Sequence, residues 1–333
     1  MKAIGGYFEF EFREGEHYHK NAIMLSTARQ CLEYILRARK YKIINIPYYT
    51  CDALLEPIKK LGIKYIFYHI DNNLEPIFNK TLANNEALLY TNYFGLKQNI
   101  VLSLSKRYQN LIIDNAQSFF DYPIKHIDTF YSARKFFGVP DGAYLYTDCH
   151  LDTTFSTYIP TQNTKYLLGR LTHTAEMYYN DFQDSEQAFS HMEIHKMSIL
   201  SEHILKSLDY QLIIQKRREN YMSLYHKLGN LNKMDFDISS TNNAPMIYPF
   251  WSNESNLRQK LIPYKIFIPQ YWKCVENWTN PTRGIEIELS EKLYPIPIDQ
   301  RYNKEDMNYI IDHILKSVSY THLRAHETGR NLV

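Results

Sequence analysis

Apolar runs and amphipathic stretches alternate along the first half of the chain. Short apolar runs that stop at prolines or polar residues, at 42–47, 63–71, 86–95 and 110–120, predict strands. The stretches at 28–40 and 52–62 have helical spacing, and Ser26 and Thr27 are favourable residues for the start of the first one. Strands that alternate with helices in this way predict an α/β domain with a mainly parallel sheet flanked by helices.

The two ends of the chain follow other patterns. Alternation of phenylalanine with glutamate over 8–12 predicts a half-buried strand. After a further strand at 143–148 the pattern becomes helical, and residues 197–228 form a long amphipathic stretch that we expect to bridge two domains. Prolines cluster beyond about residue 245, which indicates a smaller α+β domain. We therefore expect a large domain at 1–210 and a small C-terminal domain at 211–318 that includes the bridging helix.

The last fifteen residues, 319–333, lack a helical or strand period. They resemble translated sequencing-adapter read-through, so we expect them to lie outside the native fold.

Composition excludes several classes of ligand site. None of the 11 glycines is spaced as G-x-G, and no Walker-type phosphate loop is present. A net charge of +2 without a basic stripe is not typical of a nucleic-acid binder. No run approaches ~18 apolar residues and no signal segment opens the chain, so we expect a cytoplasmic protein without a membrane partner. The four cysteines show no C-x-x-C spacing and are expected to be buried thiols.

Three short segments carry candidate chemistry. Asp114 stands where an apolar run stops, and ligands of parallel α/β sheets bind at the carboxyl ends of strands, although a turn or helix-cap aspartate is the alternative. Lys135 lies beside aromatic residues, either as a surface residue or as a partly desolvated amine suited to Schiff-base chemistry. Residues 27–29 open a predicted helix, whose N-terminus suits either a phosphate or a plain cap.

Taken in order, these segments resemble the DegT/DnrJ/StrS-type aminotransferases. This family comprises pyridoxal 5'-phosphate (PLP) enzymes of fold type I that act mostly on nucleotide-linked keto-sugars. The resemblance runs from about residue 22 to residue 318 and is carried by the segments at 27–32, 46–51, 62–71, 94–95, 113–117, 132–138 and 141–143. Fold type I has a large domain with a mainly parallel sheet and a smaller α+β domain, as the pattern predicts.

The resemblance implies a role for individual residues. Lys135 would be the Schiff-base lysine and the proton shuttle, Asp114 the partner of the pyridine nitrogen, and Gln117 a neighbour of the phenolic oxygen. Cys51 would border the ring of the cofactor. The residues that would hold the phosphate are Thr27, Ala28, Arg29 and Ser132.

Several positions depart from the family pattern. The aromatic residue that stacks on the cofactor is replaced by Cys51, so that Tyr48 or Tyr49 would have to substitute. The serine five residues before the lysine is Phe130. The N-x-R segment through which a partner subunit reaches the phosphate is not found, and residues 169–197 occupy its place.

The resemblance implies an aminotransferase that moves an amino group from glutamate to a keto-sugar nucleotide in surface polysaccharide synthesis, as a homodimer. A catalytically impaired relative that binds a ligand or a partner protein is the alternative. A metal site is a distant third. His191 and His195 would share one helix face, but methionine stands where the zincin motif needs glutamate, and His17 and His19 form only an H-x-H pair. We expect no metal.

Overall fold

The computed structural model describes residues 4–161, 163–242, 244–278 and 284–330, with side chains described as far as residue 318. The elements of the first part, in chain order, are β1 (Ile23–Leu25), α1 (Ala28–Arg39), β2 (Ile43–Pro47), α2 (Leu55–Lys60), β3 (Lys64–Ile70), β4 (Pro76–Ile77), β5 (Glu86–Thr91), α3 (Gln98–Arg107), β6 (Leu111–Asn115), β7 (Asp128–Ser132), β8 (Ala143–Tyr146), α4 (Lys165–Thr172), α5 (Tyr179–Gln187) and α6 (Ile199–Ser207). The second part comprises α7 (Tyr210–Leu228), β9 (Ile247–Trp251), α8 (Leu257–Leu261), α9 (Val275–Trp278), α10 (Ile285–Lys292), β10 (Leu293–Pro297) and α11 (Lys304–Arg330).

One eight-stranded sheet forms the centre of the large domain, in the order β1-β8-β7-β6-β5-β2-β3-β4. The five strands from β7 to β3 are parallel to one another. Strand β8 runs antiparallel to both of its neighbours, so β1 points in the same direction as the parallel strands. The predicted α/β architecture with a mainly parallel sheet is confirmed, and the carboxyl ends of six strands meet at one edge.

Helices cover both faces of this sheet. Every residue of β5 and β6 is buried, as expected for central parallel strands, which show continuous apolar runs rather than alternation. Helix α1 supports one face with a stripe that includes the fully buried Leu32 and Ile35. Its spacing follows the helical period, which is why the sequence predicted this element accurately.

The smaller domain is built on an antiparallel pair of strands, β9 and β10, which packs with α7, α8 and α11. Pro249 and Pro295 face each other in this pair. A two-stranded sheet has only edge strands, and proline is tolerated there because it deprives no central ladder of a donor. The cluster of prolines thus marks a short α+β unit, as predicted. The domain boundary at residue 210 stays a prediction.

Two expectations about secondary structure were wrong. Residues 8–12 form no strand: Phe8 is 95% exposed and Phe10 is 72% exposed, because no described strand lies alongside to bury an alternating face. The amphipathic stretch 197–228 is helical as expected and contains two helices, α6 and α7. They are separate because Leu208 is extended and the carboxylate of Asp209 accepts a hydrogen bond from Leu212 N to start α7.

The second wrong expectation concerns the C-terminus. Helix α11 does not stop near Val318 but continues to Arg330, because adding residues to an existing helix is far easier than nucleating one. The remainder of the tail, 331–333, lies outside the described residues. The cysteines also differ from expectation, since Cys31 is buried whereas Cys51, Cys149 and Cys274 are only half-buried. No helix in the described part of the chain has the length and apolar character to cross a membrane.

Candidate active site

Three strand ends converge at the carboxyl edge of the sheet. Strand β6 carries Asp114, β7 ends at Ser132 and leads into a 3-10 turn at Ala133–Lys135, and β1 leads into α1. Ala143 of β8 pairs with Leu25 on one side and with Ser132 on the other. Because neighbouring strands lie about 4.8 Å apart, the start of α1 and the lysine turn lie about 10 Å apart across β8.

Gly142 joins the start of α1 to the lysine turn. Its N–H donates to Ser26 O at 2.6 Å, and its own carbonyl accepts from Ala133 N at 3.0 Å. The residue has φ +130°, a conformation that glycine adopts readily, and an added Cβ would lie 3.4 Å from Ala133 Cβ. This glycine therefore fixes two parts of the candidate site relative to each other.

Asp114 is 6% exposed, and its Oδ1 accepts a hydrogen bond from Ala116 N at 2.8 Å. Burial raises the pKa of this carboxyl above its ordinary value, while the ammonium group of Lys135 and the N–H of Ala116 oppose the shift. A buried carboxylate with few protein donors is suited to interact with a cationic or N–H-bearing ligand group.

Lys135 is exposed and has no hydrogen bond or ion pair with the residues that the structure describes. Of the two alternatives for this lysine, the exposed side chain agrees with a surface residue rather than with a partly desolvated amine. The charge of Lys135 acts on both Asp114 and Cys51, so the side chain lies within electrostatic range of the two. The sequence-predicted lysine and aspartate are thus brought together.

Gln117 and Thr91 each contribute a buried polar atom to this edge. Gln117 is 1% exposed; its Oε1 accepts from Phe94 N at 3.2 Å, and Nε2 has no partner among the described residues. Thr91 pairs in register with Asp114, and its buried Oγ1 likewise has no partner in the described part of the chain. Unsatisfied buried donors are rare in proteins, so both atoms are available to a ligand. Sequence reasoning missed Thr91, although it ends the apolar run of β5 as Asp114 nearly ends that of β6.

The start of α1 presents several donors. Thr27 is the N-cap, and its Oγ1 accepts from Gln30 N at 3.3 Å. The N–H groups of Ala28 and Arg29 have no acceptor among the described residues. The guanidinium of Arg29 forms an ion pair with Glu56 at 3.3 Å, a partner that sequence reasoning missed. The charge of Arg29 is therefore shared between this carboxylate and any anion at the helix N-terminus.

Cys51 follows β2 and lies within electrostatic range of Lys135. Burial raises the pKa of its thiol, and the charges of Lys135 and Arg29 act in the opposite direction. The two tyrosines considered as substitutes for a stacking residue pack against other aromatic side chains of the protein. Tyr48 stacks on Phe67, with ring centroids 4.6 Å apart, and Tyr49 is fully buried against Trp272.

Residues 169–197 pack beside the lysine turn. Arg134 pairs with Glu186 and lies over the ring of Phe189, at 4.4 Å from its centroid. No helix joins His191 to His195, and His191 has φ +60°, so the two do not share a helix face. No group of three or more His, Cys, Asp or Glu side chains that could hold a metal occurs in the described residues.

No protein-family model matches the chain, and no curated protein matches it in sequence. Solved structures do match it. One of them is Spr1654 of Streptococcus pneumoniae, assigned as a sugar aminotransferase and solved in apo, PLP and PMP forms, which is 13% identical to this chain. Its apo form has a TM-score of 0.64, and the match covers 90% of this chain and 88% of that chain.

Two further structures agree. A DegT/DnrJ/EryC1/StrS aminotransferase from Brucella abortus is 15% identical, with a TM-score of 0.57 and 89% of this chain and 85% of that chain covered. DesI, solved in the presence of its TDP-sugar product, is 15% identical, with a TM-score of 0.63 and 92% and 83% covered. These likenesses establish that the chain has the fold of sugar aminotransferases, which is the predicted fold.

Proposed function

We propose that this chain is a PLP-dependent aminotransferase that transfers an amino group, with glutamate as the donor, to a keto-sugar nucleotide. The observation that carries the proposal is the grouping of Asp114, Gln117 and Lys135 at one edge of the sheet, beside the N-terminus of α1. The fold shared with sugar aminotransferases, one of them solved with a TDP-sugar product, supports the substrate class. The proposal extends to a cytoplasmic homodimer that serves surface polysaccharide synthesis.

The side chains at this edge fit the cofactor. The buried carboxylate of Asp114 suits the pyridine nitrogen. The Nε2 of Gln117, which has no partner in the described part of the chain, offers a donor to the phenolic oxygen. A helix N-terminus with free N–H groups is a favourable place for a phosphate. The residues that would hold that phosphate are Thr27, Ala28, Arg29 and Ser132.

When bound, PLP supplies an electron sink that stabilises negative charge at the α-carbon of the amino donor. Asp114 would accept a hydrogen bond from the protonated pyridine nitrogen and keep the proton there. Both the Ala116 N–H and the Lys135 ammonium favour the carboxylate form of Asp114 against the effect of burial. The backbone hydrogen bond at 2.8 Å also fixes the orientation of this carboxylate.

Lys135 would bind the cofactor through Nζ and, once the donor has replaced it, take the proton from the donor's α-carbon and return it to the cofactor side. An exposed amine that pairs with none of the described residues is accessible to an incoming amino acid. General acid–base catalysis by a positioned group contributes roughly 10²–10⁴-fold to a rate. Lys135 is therefore the single side chain on which activity should depend most strongly.

The visible absorption spectrum of the purified protein with PLP tests this proposal. We expect a band from the lysine-bound cofactor, its loss in Lys135→Ala, and its discharge by glutamate. Lys125→Ala, which removes another exposed lysine of the large domain, is the matched control and should keep the band. A wild-type protein that develops no band contradicts the proposal.

The second candidate is a catalytically impaired relative that binds a ligand or a partner. It is favoured by one observation: Cys51 stands where the family has a stacking aromatic, and Tyr48 and Tyr49 pack elsewhere. In that case the band forms, but no amino acid in a panel of glutamate, glutamine, aspartate and alanine discharges it.

A further inference from the structure

Arg217 of α7 is the largest side chain that the described part of the chain buries completely, at 1% exposure. Its guanidinium donates to four acceptors. Nε donates to Gln300 Oε1 at 2.9 Å, Nη1 to the carbonyls of Pro245 and Met246 at 3.2 and 3.1 Å, and Nη2 to Phe136 O at 3.3 Å. The group also lies over the ring of Phe136, at 4.7 Å from its centroid. One side chain thus reaches the small domain and the lysine turn together.

All four hydrogen-bond acceptors of Arg217 are neutral. Burial lowers the pKa of this guanidinium to about 10, with Asp299 opposing the shift, so the group remains charged at neutral pH. Taking a charge out of water is expensive, and apolar replacements of buried charges are often at least as stable. Overall stability alone is therefore a weak explanation for the presence of an arginine at this buried position. A better explanation is that the guanidinium, unlike the ammonium group of lysine, can hold several acceptors in a fixed geometry.

Two donors converge on the backbone next to Lys135. The carbonyl of Phe136, the residue that follows Lys135, accepts from both Arg217 Nη2 at 3.3 Å and Gln300 Nε2 at 2.8 Å. On the other side of the lysine, Ala133 N donates to Gly142 O at 3.0 Å. The 3-10 turn is thus held at both ends. Its N-terminal end is hydrogen-bonded to Gly142 at the edge of the sheet, and its C-terminal end is hydrogen-bonded to Arg217 and Gln300. The side chain of Lys135 has no described partner of its own, so its orientation depends on this backbone.

We propose that Arg217 is a positioning residue that sets the orientation of Lys135 through the carbonyl of Phe136. Because the same guanidinium also binds Gln300 and the two residues that precede β9, the placement of the lysine turn is tied to the placement of the small domain. This inference rests on the proposed function, in which Lys135 bonds the cofactor. A displacement of about 1 Å at a reacting group can lower a rate by about 10²-fold.

Amide hydrogen exchange of the protein without cofactor tests the structural half of the proposal. The variants are Arg217→Met, Arg217→Lys and, at a half-buried position less prone to unfold the chain, Gln300→Leu. The matched control is Arg218→Met, since Arg218 of the same helix donates to Ile238 O. We expect the amides of residues 136–139 to exchange about tenfold faster in the first three variants and at the wild-type rate in the control. Wild-type exchange in every variant overturns the proposal.

The rate of covalent attachment of PLP to Lys135, trapped with borohydride and located by mass spectrometry, tests the functional half. At a temperature where circular dichroism shows each variant folded, we expect attachment to Arg217→Lys and Gln300→Leu to slow by about tenfold or more. Faster exchange at 136–139 with wild-type attachment overturns the positioning role. A wild-type protein that is never labelled at Lys135 refutes the proposed function instead, and the exchange experiment still decides whether Arg217 holds the turn.

Discussion

Two histidines near the N-terminus should make the fold sensitive to acid. His17 is 8% exposed and His19 is 1% exposed, and both lie among aromatic rings. His17 Nδ1 is 2.7 Å from Tyr144 Oη, and His19 Nε2 donates to Phe119 O at 2.8 Å. Burial, with a smaller contribution from the charge of Lys206, lowers the pKa of His17 from 6.5 to about 4. Burial also lowers the pKa of His19 to about 3.

The sign of the effect follows from these shifts. Because each pKa is lower in the folded state than in the unfolded chain, the unfolded chain takes up protons first as the pH falls. The stabilisation is complete above pH 6.5 and is lost progressively as the pH falls toward about 4 for His17 and about 3 for His19. Between about pH 7 and pH 5, each histidine should reduce the free energy of unfolding by about 2 kcal/mol.

Urea unfolding followed by circular dichroism at pH 7, 6 and 5 measures this loss. The perturbation is the double variant His17→Gln/His19→Gln, which cannot titrate at these positions, and the control is the exposed His226→Gln. On acidification from pH 7 to pH 5, the wild type and the control should lose about 4 kcal/mol more than the double variant. If the double variant loses as much as the wild type, the buried imidazoles are not the source of acid sensitivity.

Three substitutions test the candidate site and its support. Asp114→Asn keeps an acceptor for the Ala116 N–H but removes the charge of the side chain. We expect a folded protein whose visible cofactor band is discharged by glutamate about 10²-fold more slowly in stopped-flow measurements. An unchanged rate would contradict the role of the carboxylate. Arg39→Met breaks the bidentate pair with the buried Asp128 at the start of β7, whose two hydrogen bonds are 2.8 and 2.9 Å long. We expect this variant to lower the free energy of unfolding by about 3 kcal/mol in urea titrations. A loss below about 1 kcal/mol would mean that solvent relaxes around the carboxylate of Asp128. Thr27→Ala removes the cap of α1 and should reduce stability by about 1 kcal/mol and weaken PLP binding, measured by absorbance, while Thr27→Ser should preserve both.

Sequence patterns predicted those parts of the fold that depend on local spacing. The continuous apolar run of β6 identified a central strand, and that assignment placed Asp114 at the carboxyl edge. Helix α1 and its cap at Thr27 followed from the same kind of local signal. Such features are predictable because period and capping chemistry act within a few residues of the chain.

Features that depend on distant partners were not predictable. The alternation over 8–12 has the period of a strand, but a strand also needs a neighbour, and the fold provides none in the described residues. The pairing of Arg29 with Glu56 and the contact of Arg217 with Phe136 join residues from separate elements. The exposure of Lys135 likewise depends on which distant segments of the chain pack around its turn. None of these contacts leaves a spacing pattern in the chain.

The antiparallel strand β8 also affects when the site can form during synthesis. Among the described residues, strand β1 (23–25) joins the sheet through its pairing with β8 (143–146) alone. Thr27 therefore has no fixed place relative to Lys135 until more than a hundred further residues have left the ribosome, and closing so long a loop is slow. The parallel strands from β2 to β7 are complete before that point. The cofactor site should thus form late, when the first strand of the chain is added to a sheet that is otherwise assembled.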